Sequence, residues 1–186
     1  MSTTSSPVAG KIGQAMNFTK NTAECISTNT SGSLTAPYTV SSWVMPMDPT
    51  ANIMFVASRG VSEDHGLDIK FTAGNAIHAD IGDGSQWLDT GADTSFNYSI
   101  GKWYHITYVV TATTYTIYAN GVAIKGPTTF AVNPGTALLF DSTHPFVMGN
   151  YKCGFEEPFK GRIDDVRIYN RALSATEIKQ LYNMGR

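Results

Sequence analysis

Two adjacent aspartates near the C-terminus are the first residues whose type and spacing could do chemistry. Asp164 and Asp165 lie in FKGRIDDVRIY, residues 159–169, which otherwise has the composition of a strand. Because strand side chains alternate between faces, this pattern predicts that Asp164 shares a face with Val166, and Asp165 with Arg167. Arg167 is a natural ion-pair partner for Asp165. Asp164 has no such partner, and a carboxylate among aliphatic side chains needs pairing or a metal ion.

The other carboxylates lack the spacing that glycoside hydrolysis needs. Retaining hydrolysis uses two carboxyl groups roughly 5 Å apart on the same face. Glu63-Asp64 and Glu156-Glu157 are adjacent pairs, so each pair would point to opposite faces of a strand or lie in a loop. The sequence also contains no nucleophile elbow, Walker loop or His-Glu-x-x-His motif. It therefore predicts a protein that is not an enzyme.

The cysteines and histidines do not show the spacing of metal ligands. Cys25 and Cys153 are the only cysteines, too few for a disulfide-rich scaffold and too far apart for a zinc cluster. The residues alone leave two readings open: one bridge, or two small core residues. The histidines are scattered along the chain, at His65, His78, His105 and His144. Since His105 lies in a strong strand pattern, we expect a satisfied core residue there.

One tryptophan stands in a polar segment and is a candidate for ligand binding. Trp87 lies in DIGDGSQWLDTGAD, residues 80–93, which is rich in Gly and Asp. Aromatic rings pack against the C–H faces of sugars, and polar neighbours such as Asp83 and Gln86 can bind the hydroxyls. A large indole in a polar loop favours a ligand site. Packing over the end of the fold is an equally open interpretation.

Two further loop clusters could contribute to binding. The first lies in NYKCGFEEPF and the second in SRGVSEDHG. Their candidate residues are Tyr151, Phe155 and Glu156 in the first cluster, and Arg59, Glu63, Asp64 and His65 in the second. The sequence does not indicate which of these loops lie at the same end of the fold.

The elements that must position these residues are mostly strands. Short runs rich in Val, Ile, Thr and aromatic residues are bounded by Gly, Pro, Asn or Asp. Asn120-Gly121 joins two of these runs and is a strong hairpin signal. Ser174 and Glu177 form a capping-box pattern, which predicts a short helix over residues 175–182. The pattern predicts an all-β protein, a two-sheet β-sandwich with a short C-terminal helix.

Composition and charge exclude several classes of partner. The net charge is −2 with 13 Lys and Arg, which provides no basic stripe for nucleic acid. No apolar stretch approaches the roughly 20 residues of a membrane-spanning helix. Residues 1–9 begin with a Ser- and Thr-rich run and are interpreted as a linker, followed by one domain over residues 10–186. We therefore expect a module tethered to other domains.

The C-terminal segment also carries a family resemblance. FKGRIDDVRIYNRALSATEI closely resembles the final signature of the laminin G-like jelly rolls in the concanavalin A-like lectin/glucanase superfamily. Four earlier segments also occur in the order typical of the family, namely GKIGQAMNF, YTVSSWVMP, GKWYHITYVV and VMGN. The resemblance implies an antiparallel jelly roll with one concave and one convex sheet. It implies a non-catalytic carbohydrate-binding module of an extracellular or cell-surface enzyme or adhesin. The alternative is a protein-binding adhesion module without a sugar ligand.

The resemblance further suggests a role for Asp164. In related jelly rolls, the aspartate that opens the last strand helps to hold a structural calcium ion with backbone carbonyls of the N-terminal region. Where many relatives have Phe-Asp-Gly after the first strand, this chain has Phe18-Thr19-Lys20. This departure leaves a second possibility, in which Asp164 pairs with backbone amides or Lys20 and no calcium binds. The resemblance also implies that Cys25 and Cys153 are close in space.

Overall fold

Short runs of β-branched and aromatic residues form the strands of this protein. The computed structural model describes residues 7–21, 23–28, 32–50, 53–59, 65–89, 93–131, 137–142, 144–151, 153–154 and 157–186. The strands are β1 Pro7–Ala9, β2 Gln14–Thr19, β3 Ile26–Ser27, β4 Leu34–Thr35, β5 Tyr38–Pro46, β6 Ile53–Arg59, β7 His65–Thr72, β8 Ala76–Gly82, β9 Trp87–Asp89, β10 Thr94–Ser95, β11 Tyr104–Val110, β12 Thr114–Ala119, β13 Val122–Thr129, β14 Leu138–Phe140, β15 Phe146–Met148 and β16 Lys160–Tyr169. A helix, α1, spans Ala175–Met184.

The strands assemble into two antiparallel sheets. Within the described residues, a seven-stranded sheet has the order β1-β2-β16-β5-β11-β12-β13. A nine-stranded sheet has the order β3-β15-β6-β7-β8-β14-β4, with β9 and β10 also paired to β8. The predicted all-β, two-sheet antiparallel jelly-roll β-sandwich with a short C-terminal helix is confirmed. Strand β1 lies within the segment that the sequence suggested was a linker, and it pairs with β2.

The core lies between the sheets, where alternate residues of each strand meet. The buried side chains come from strands of both sheets. Central members are Tyr38, Val40 and Val44 of β5, Ile106, Tyr108 and Val110 of β11, Leu67, Ile69 and Phe71 of β7, and Ile77, Ala79 and Ile81 of β8. The residues between them in each strand therefore point to the outer face of their sheet.

Helix α1 covers part of the outer face of the seven-stranded sheet. It begins at the predicted capping box, where Ser174 and Glu177 bond to each other's backbone amides. Ile178 is fully buried and packs with Leu173 and with Val109 of β11. Because Val109 alternates with core residues, these contacts place the helix on the side of the sheet away from the core.

A bulge in β16 corrects the predicted faces of its aspartates. The pairing of β16 with β5 shifts between Asp164 and Arg167, and Asp165 has φ 47°. The extra residue breaks the alternation. Val166 therefore packs against the core, while Asp164 stands opposite Trp43 of β5. Asp164 and Val166 do not share a face as strict alternation predicted.

A disulfide joins Cys25 and Cys153. Their Cα atoms lie 5.4 Å apart across a sequence separation of 128 residues. Cys25 lies between β2 and β3, and Cys153 lies between β15 and β16. The bridge therefore links two segments that each cross from one sheet to the other.

Candidate functional site

The outer face of the nine-stranded sheet carries a group of charged side chains. In the hairpin of β7 and β8, Asp68 pairs with Asp80, and Lys70 pairs with His78. Their sequence neighbours Leu67, Ile69, Ile77, Ala79 and Ile81 are all in the core. The four charged residues therefore point away from the core. We call Asp68, Lys70, His78 and Asp80 the outer polar face.

His78 lies at the centre of this face and contacts three carboxylates. Its Nε2 lies 2.9 Å from Oδ2 of Asp80 and 3.9 Å from Oδ1 of Asp68. Its Nδ1 lies 2.6 Å from Oδ1 of Asp93. Burial lowers the pKa of His78, but the three carboxylates together outweigh burial and raise that pKa to about 9. In the absence of another ligand, the ring is therefore a cation at neutral pH.

Other hydrogen bonds on the same face fix the carboxylates and the lysine. Asp68 is almost fully buried, and its Oδ1 accepts a 3.2 Å hydrogen bond from the backbone amide of Asp80. Lys70 donates to both carboxylate oxygens of Glu157, at 2.9 and 3.2 Å. Lys70 is thus paired outside the His78 group, which leaves the imidazole facing Asp68 and Asp80.

Sequence reasoning missed this cluster because it treated the histidines as scattered. His78 and Asp80 are two residues apart, so a strand places them on one face. Asp68 lies on the preceding strand, and the register of the hairpin places it opposite Asp80. Positions 68 and 80, like 70 and 78, are symmetric about Gly74 in the turn. The turn sequence Ala73-Gly74-Asn75 between two apolar runs was the signal that could have revealed the cluster.

Trp87 begins β9 at the edge of the outer polar face. It stands opposite Gly82 of β8, and the next residue, Leu88, is fully buried in the core. Because Leu88 points into the core, the half-buried Trp87 before it points to the outer face of the sheet.

A tight turn holds Trp87 in place, and two of the predicted site residues form it. Asp83 accepts hydrogen bonds from the amides of Ser85 and Gln86, at 2.8 and 3.0 Å, and from the Gln86 side chain at 3.2 Å. Gly84 has φ 93°, which a glycine adopts without steric cost. Burial raises the pKa of Asp83, but these hydrogen bonds outweigh burial and leave the pKa below its ordinary value. Asp83 is thus bound within the turn, beside the indole.

The described residues of the two remaining clusters lie at opposite ends of the nine-stranded sheet. Arg59 ends β6 and pairs with His65, the first residue of β7, at the same end as the turn of residues 83–86. Tyr151 is half-buried and follows β15, whose antiparallel pairing with β6 puts its C-terminal end at the other end of the sheet. Four of the candidate residues lie outside the described residues, namely Glu63, Asp64, Phe155 and Glu156.

Asp164 lies on the seven-stranded sheet and is held by backbone amides. Its Oδ2 accepts hydrogen bonds from the N–H groups of Lys11 and Ile12, at 2.6 and 2.8 Å. A Cβ on Gly10 would come within 2.4 Å of the same oxygen, so the loop lies close against the carboxylate. Lys20 does not reach Asp164 but bonds to Asp48 at 2.5 Å.

The two amide hydrogen bonds to Asp164 limit how it could bind the calcium ion that the family resemblance implies. A carboxylate oxygen has two lone pairs, and two N–H donors already use those of Oδ2. Such donors suit an anion, whereas calcium needs oxygen atoms free to coordinate it. The residues around Oδ2 therefore fit the amide-bound alternative better than a calcium site. Calcium at Asp164 stays a prediction.

A second histidine lies beneath α1, on the outer face of the seven-stranded sheet. His105 is buried, and its Nε2 lies 2.8 Å from Oγ of Ser41. Its ring lies 5.1 Å from Trp43 and 6.3 Å from Tyr182 of the helix. Burial, with a smaller contribution from Arg167, lowers the pKa of His105 to about 4. The ring is therefore neutral at pH 7. It is buried as expected, but beneath α1 and not between the sheets, and its Nδ1 has no hydrogen-bond partner among the described residues.

A family comparison agrees with this architecture. The family model described as concanavalin A-like lectin/glucanases superfamily matches residues 19–179. The chain belongs to this superfamily. Within the described residues, no helix is both long and apolar enough to cross a membrane. No curated protein sequence matches the chain.

Solved structures of domains from larger proteins share this fold. Domain 4 of AbnA, a GH43 extracellular arabinanase from Geobacillus stearothermophilus in complex with arabinotriose, aligns with a TM-score of 0.71 and 24% identity over 96% of this chain and 81% of that one. The binding domain of Paraclostridial Mosquitocidal Protein 1 gives 0.71 and 19%, over 98% and 46%. The botulinum neurotoxin serotype G binding domain gives 0.67 and 18%, over 96% and 45%. At these identities, the likeness concerns the fold.

Proposed function

We propose that this protein is a non-catalytic carbohydrate-binding module, an accessory domain of a larger extracellular enzyme or adhesin. The observation that carries the proposal is the half-buried indole of Trp87 beside the outer polar face. An aromatic ring next to carboxylates supplies the two contacts that a sugar needs, one for its C–H face and one for its hydroxyls. The same fold holds arabinotriose in the arabinanase domain, which supports an oligosaccharide as the ligand.

The arrangement of the carboxylates argues against hydrolysis at this face. Asp68 and Asp80 stand opposite each other on adjacent strands, which resembles the pairing that a retaining glycosidase uses. The Nε2 of His78 lies 3.9 Å from Asp68 and 2.9 Å from Asp80, so both carboxylates face an imidazole. The two groups therefore bind the imidazole instead of flanking a substrate bond.

A glycan panel with matched tryptophan variants tests the proposal. We expect wild-type protein to bind a neutral polysaccharide or oligosaccharide weakly, because one aromatic platform contributes only about 0.5–1.5 kcal/mol beyond the burial of its area. Trp87→Ala should abolish measurable binding in titration calorimetry. Trp103→Ala is the matched control, since Trp103 is also half-buried but precedes β11 of the other sheet. That variant should bind as wild type.

Two outcomes would contradict the proposal. If Trp87→Ala binds as wild type, the indole is not the platform, and Tyr151 becomes the next aromatic to test. If folded protein binds nothing across a broad panel, the adhesion module is the better reading, with a protein as its partner. Circular dichroism of each variant separates loss of binding from loss of fold.

A further inference from the structure

Three ligand atoms of the outer polar face converge on one point. Nε2 of His78 and one carboxylate oxygen each of Asp68 and Asp80 all lie within 4.8 Å of one another. Tetrahedral zinc binds nitrogen and oxygen ligands at about 2.0–2.2 Å, so its ligand atoms are about 3.3–3.6 Å apart. Small side-chain rotations would bring the three atoms to that spacing. Their backbones are fixed by neighbouring strands in regular register, which suits a preformed site.

Asp93 orients the imidazole as an outer carboxylate does in zinc proteins. Metal-binding histidines usually donate their second ring N–H to a carboxylate or carbonyl, which fixes the tautomer and raises the basicity of the ligating nitrogen. Here Nδ1 of His78 lies 2.6 Å from Asp93, so Nε2 is the nitrogen directed at Asp68 and Asp80. His144 contacts Asp141 at 2.5 Å but does not belong to a group of three metal-binding side chains among the described residues.

An independent observation comes from the second oxygen of Asp80. Its Oδ1 is buried and has no hydrogen-bond partner among the described residues. A buried carboxylate oxygen without a partner is costly, and a cation bound to this carboxylate would offset the cost. The charge balance also favours a bound cation. Three carboxylates surround a single imidazole, while Lys70 is paired with Glu157.

We propose that His78, Asp68 and Asp80 form a zinc site on the outer face of the nine-stranded sheet. The ion takes the place of the proton on Nε2, since zinc binds the neutral imidazole. Three protein ligands leave a fourth position for water or for a hydroxyl of a bound molecule. The imidazole ligand favours zinc over calcium, which prefers oxygen. The site goes beyond the proposed function, because it needs no sugar to form.

Zinc titration of untagged, metal-stripped protein tests the site. We expect one zinc ion per chain by calorimetry, and cobalt as a spectroscopic substitute should give visible absorption bands of a tetrahedral site. His78→Ala and Asp80→Asn should lower zinc affinity at least 100-fold. Asp93→Asn should lower it about 10–100-fold, because it removes only the orienting carboxylate. Asp141→Asn is the control and should bind zinc as wild type, because Asp141 contacts His144, a histidine outside the proposed site.

Two results would overturn the proposed zinc site. Wild-type protein that binds no zinc would exclude the site, and so would undiminished binding by folded His78→Ala. Should the variants fail to fold, the wild-type imidazole resonances decide by NMR. Zinc should shift the signals of His78 and leave those of His105 in place. If the His78 signals stay unchanged in the presence of zinc, the site is not there. Neither result depends on whether a sugar binds.

Discussion

The outer faces of the two sheets shift the pKa of a histidine in opposite directions. On the seven-stranded sheet, α1 and the rings of Trp43 and Tyr182 cover His105, and its pKa falls to about 4. On the nine-stranded sheet, His78 faces carboxylates, and its pKa rises to about 9. Burial acts on both rings, so the neighbours decide the difference. The comparison indicates that the helix-covered face serves the fold, and it is consistent with the ligand site proposed for the outer polar face.

The tryptophans of the two faces differ in exposure: the one on the helix-covered face is buried, and the one on the other sheet is partly exposed. Trp43 is 2% exposed, stacks on Tyr182 at a ring distance of 5.6 Å and lies against Gly185. Trp87 is half-buried and stands opposite a glycine. A fully buried aromatic ring contributes to stability, while a partly exposed one can still gain contacts from a ligand. Substitutions on the helix-covered face should therefore reduce stability, and substitutions on the outer polar face should reduce binding.

The largest expected effect comes from the disulfide, which should act on both faces alike. The bridge closes a separation of 128 residues between two segments that cross from sheet to sheet. In the chain-entropy model, its removal costs about 5 kcal/mol of unfolding free energy. We expect a Cys25→Ser/Cys153→Ser double variant to show this loss in urea unfolding. Non-reducing mass spectrometry with a thiol label provides the control. Two labelled cysteines in native, air-exposed protein would contradict the bridge.

The next effect should come from the tryptophan on the covered face. Trp43→Ala removes a buried ring between β5 and α1, and such truncations cost about 3–5 kcal/mol. Trp87→Ala is the matched comparison and should cost less than about 1 kcal/mol, because its ring is partly open. Thermal and urea unfolding of both variants measure the difference. Equal losses would remove the distinction between a structural face and a ligand-binding face.

Much of the fold could be predicted from local signals. The capping box at Ser174 predicted the helix, and Asn120-Gly121 predicted the turn between β12 and β13, because these signals act within a few residues. The family signature over residues 159–178 extended them to the whole jelly roll. The predicted partner of Asp165 is confirmed as well, since Arg167 bonds to it at 2.9 Å.

The candidate site was less predictable, because it depends on register and on distant loops. The bulge at Asp165 reversed the expected face of Asp164, and strict alternation carries no sign of a bulge. The His78 group combines residues of two strands with Asp93 from beyond β9, so its members are close only in the folded chain. Single-residue reasoning selected Trp87 but could not show that this indole borders charged groups.

A smaller effect should appear when pH is lowered, and His105 should be its source. The folded-state pKa of about 4 lies below the unfolded value of 6.5. His105 therefore contributes stability above pH 6.5, and that contribution is lost as pH falls from 6.5 towards 4. The expected loss is on the order of 3 kcal/mol. His105→Gln keeps a neutral, hydrogen-bonding side chain and should flatten the wild-type decline over this range in urea unfolding. Parallel curves for the two proteins would contradict the assignment.

The smallest expected effect concerns Asp164, which separates the amide-bound carboxylate from the calcium site. Asp164→Ala leaves the amides of Lys11 and Ile12 without their acceptor, so we expect a loss of about 2 kcal/mol in unfolding free energy. Asp165→Asn is the neighbouring control and should cost less than about 1 kcal/mol, because its pair with Arg167 is partly exposed and asparagine tolerates the φ of 47° at this position. If the amides alone hold Asp164, the melting temperature of metal-stripped wild-type protein should not respond to added calcium. A rise with calcium that is absent from Asp164→Ala would instead establish the metal role that the family resemblance implies. In that case, the carboxylate must turn its other oxygen, Oδ1, to the ion, because two amides already occupy Oδ2.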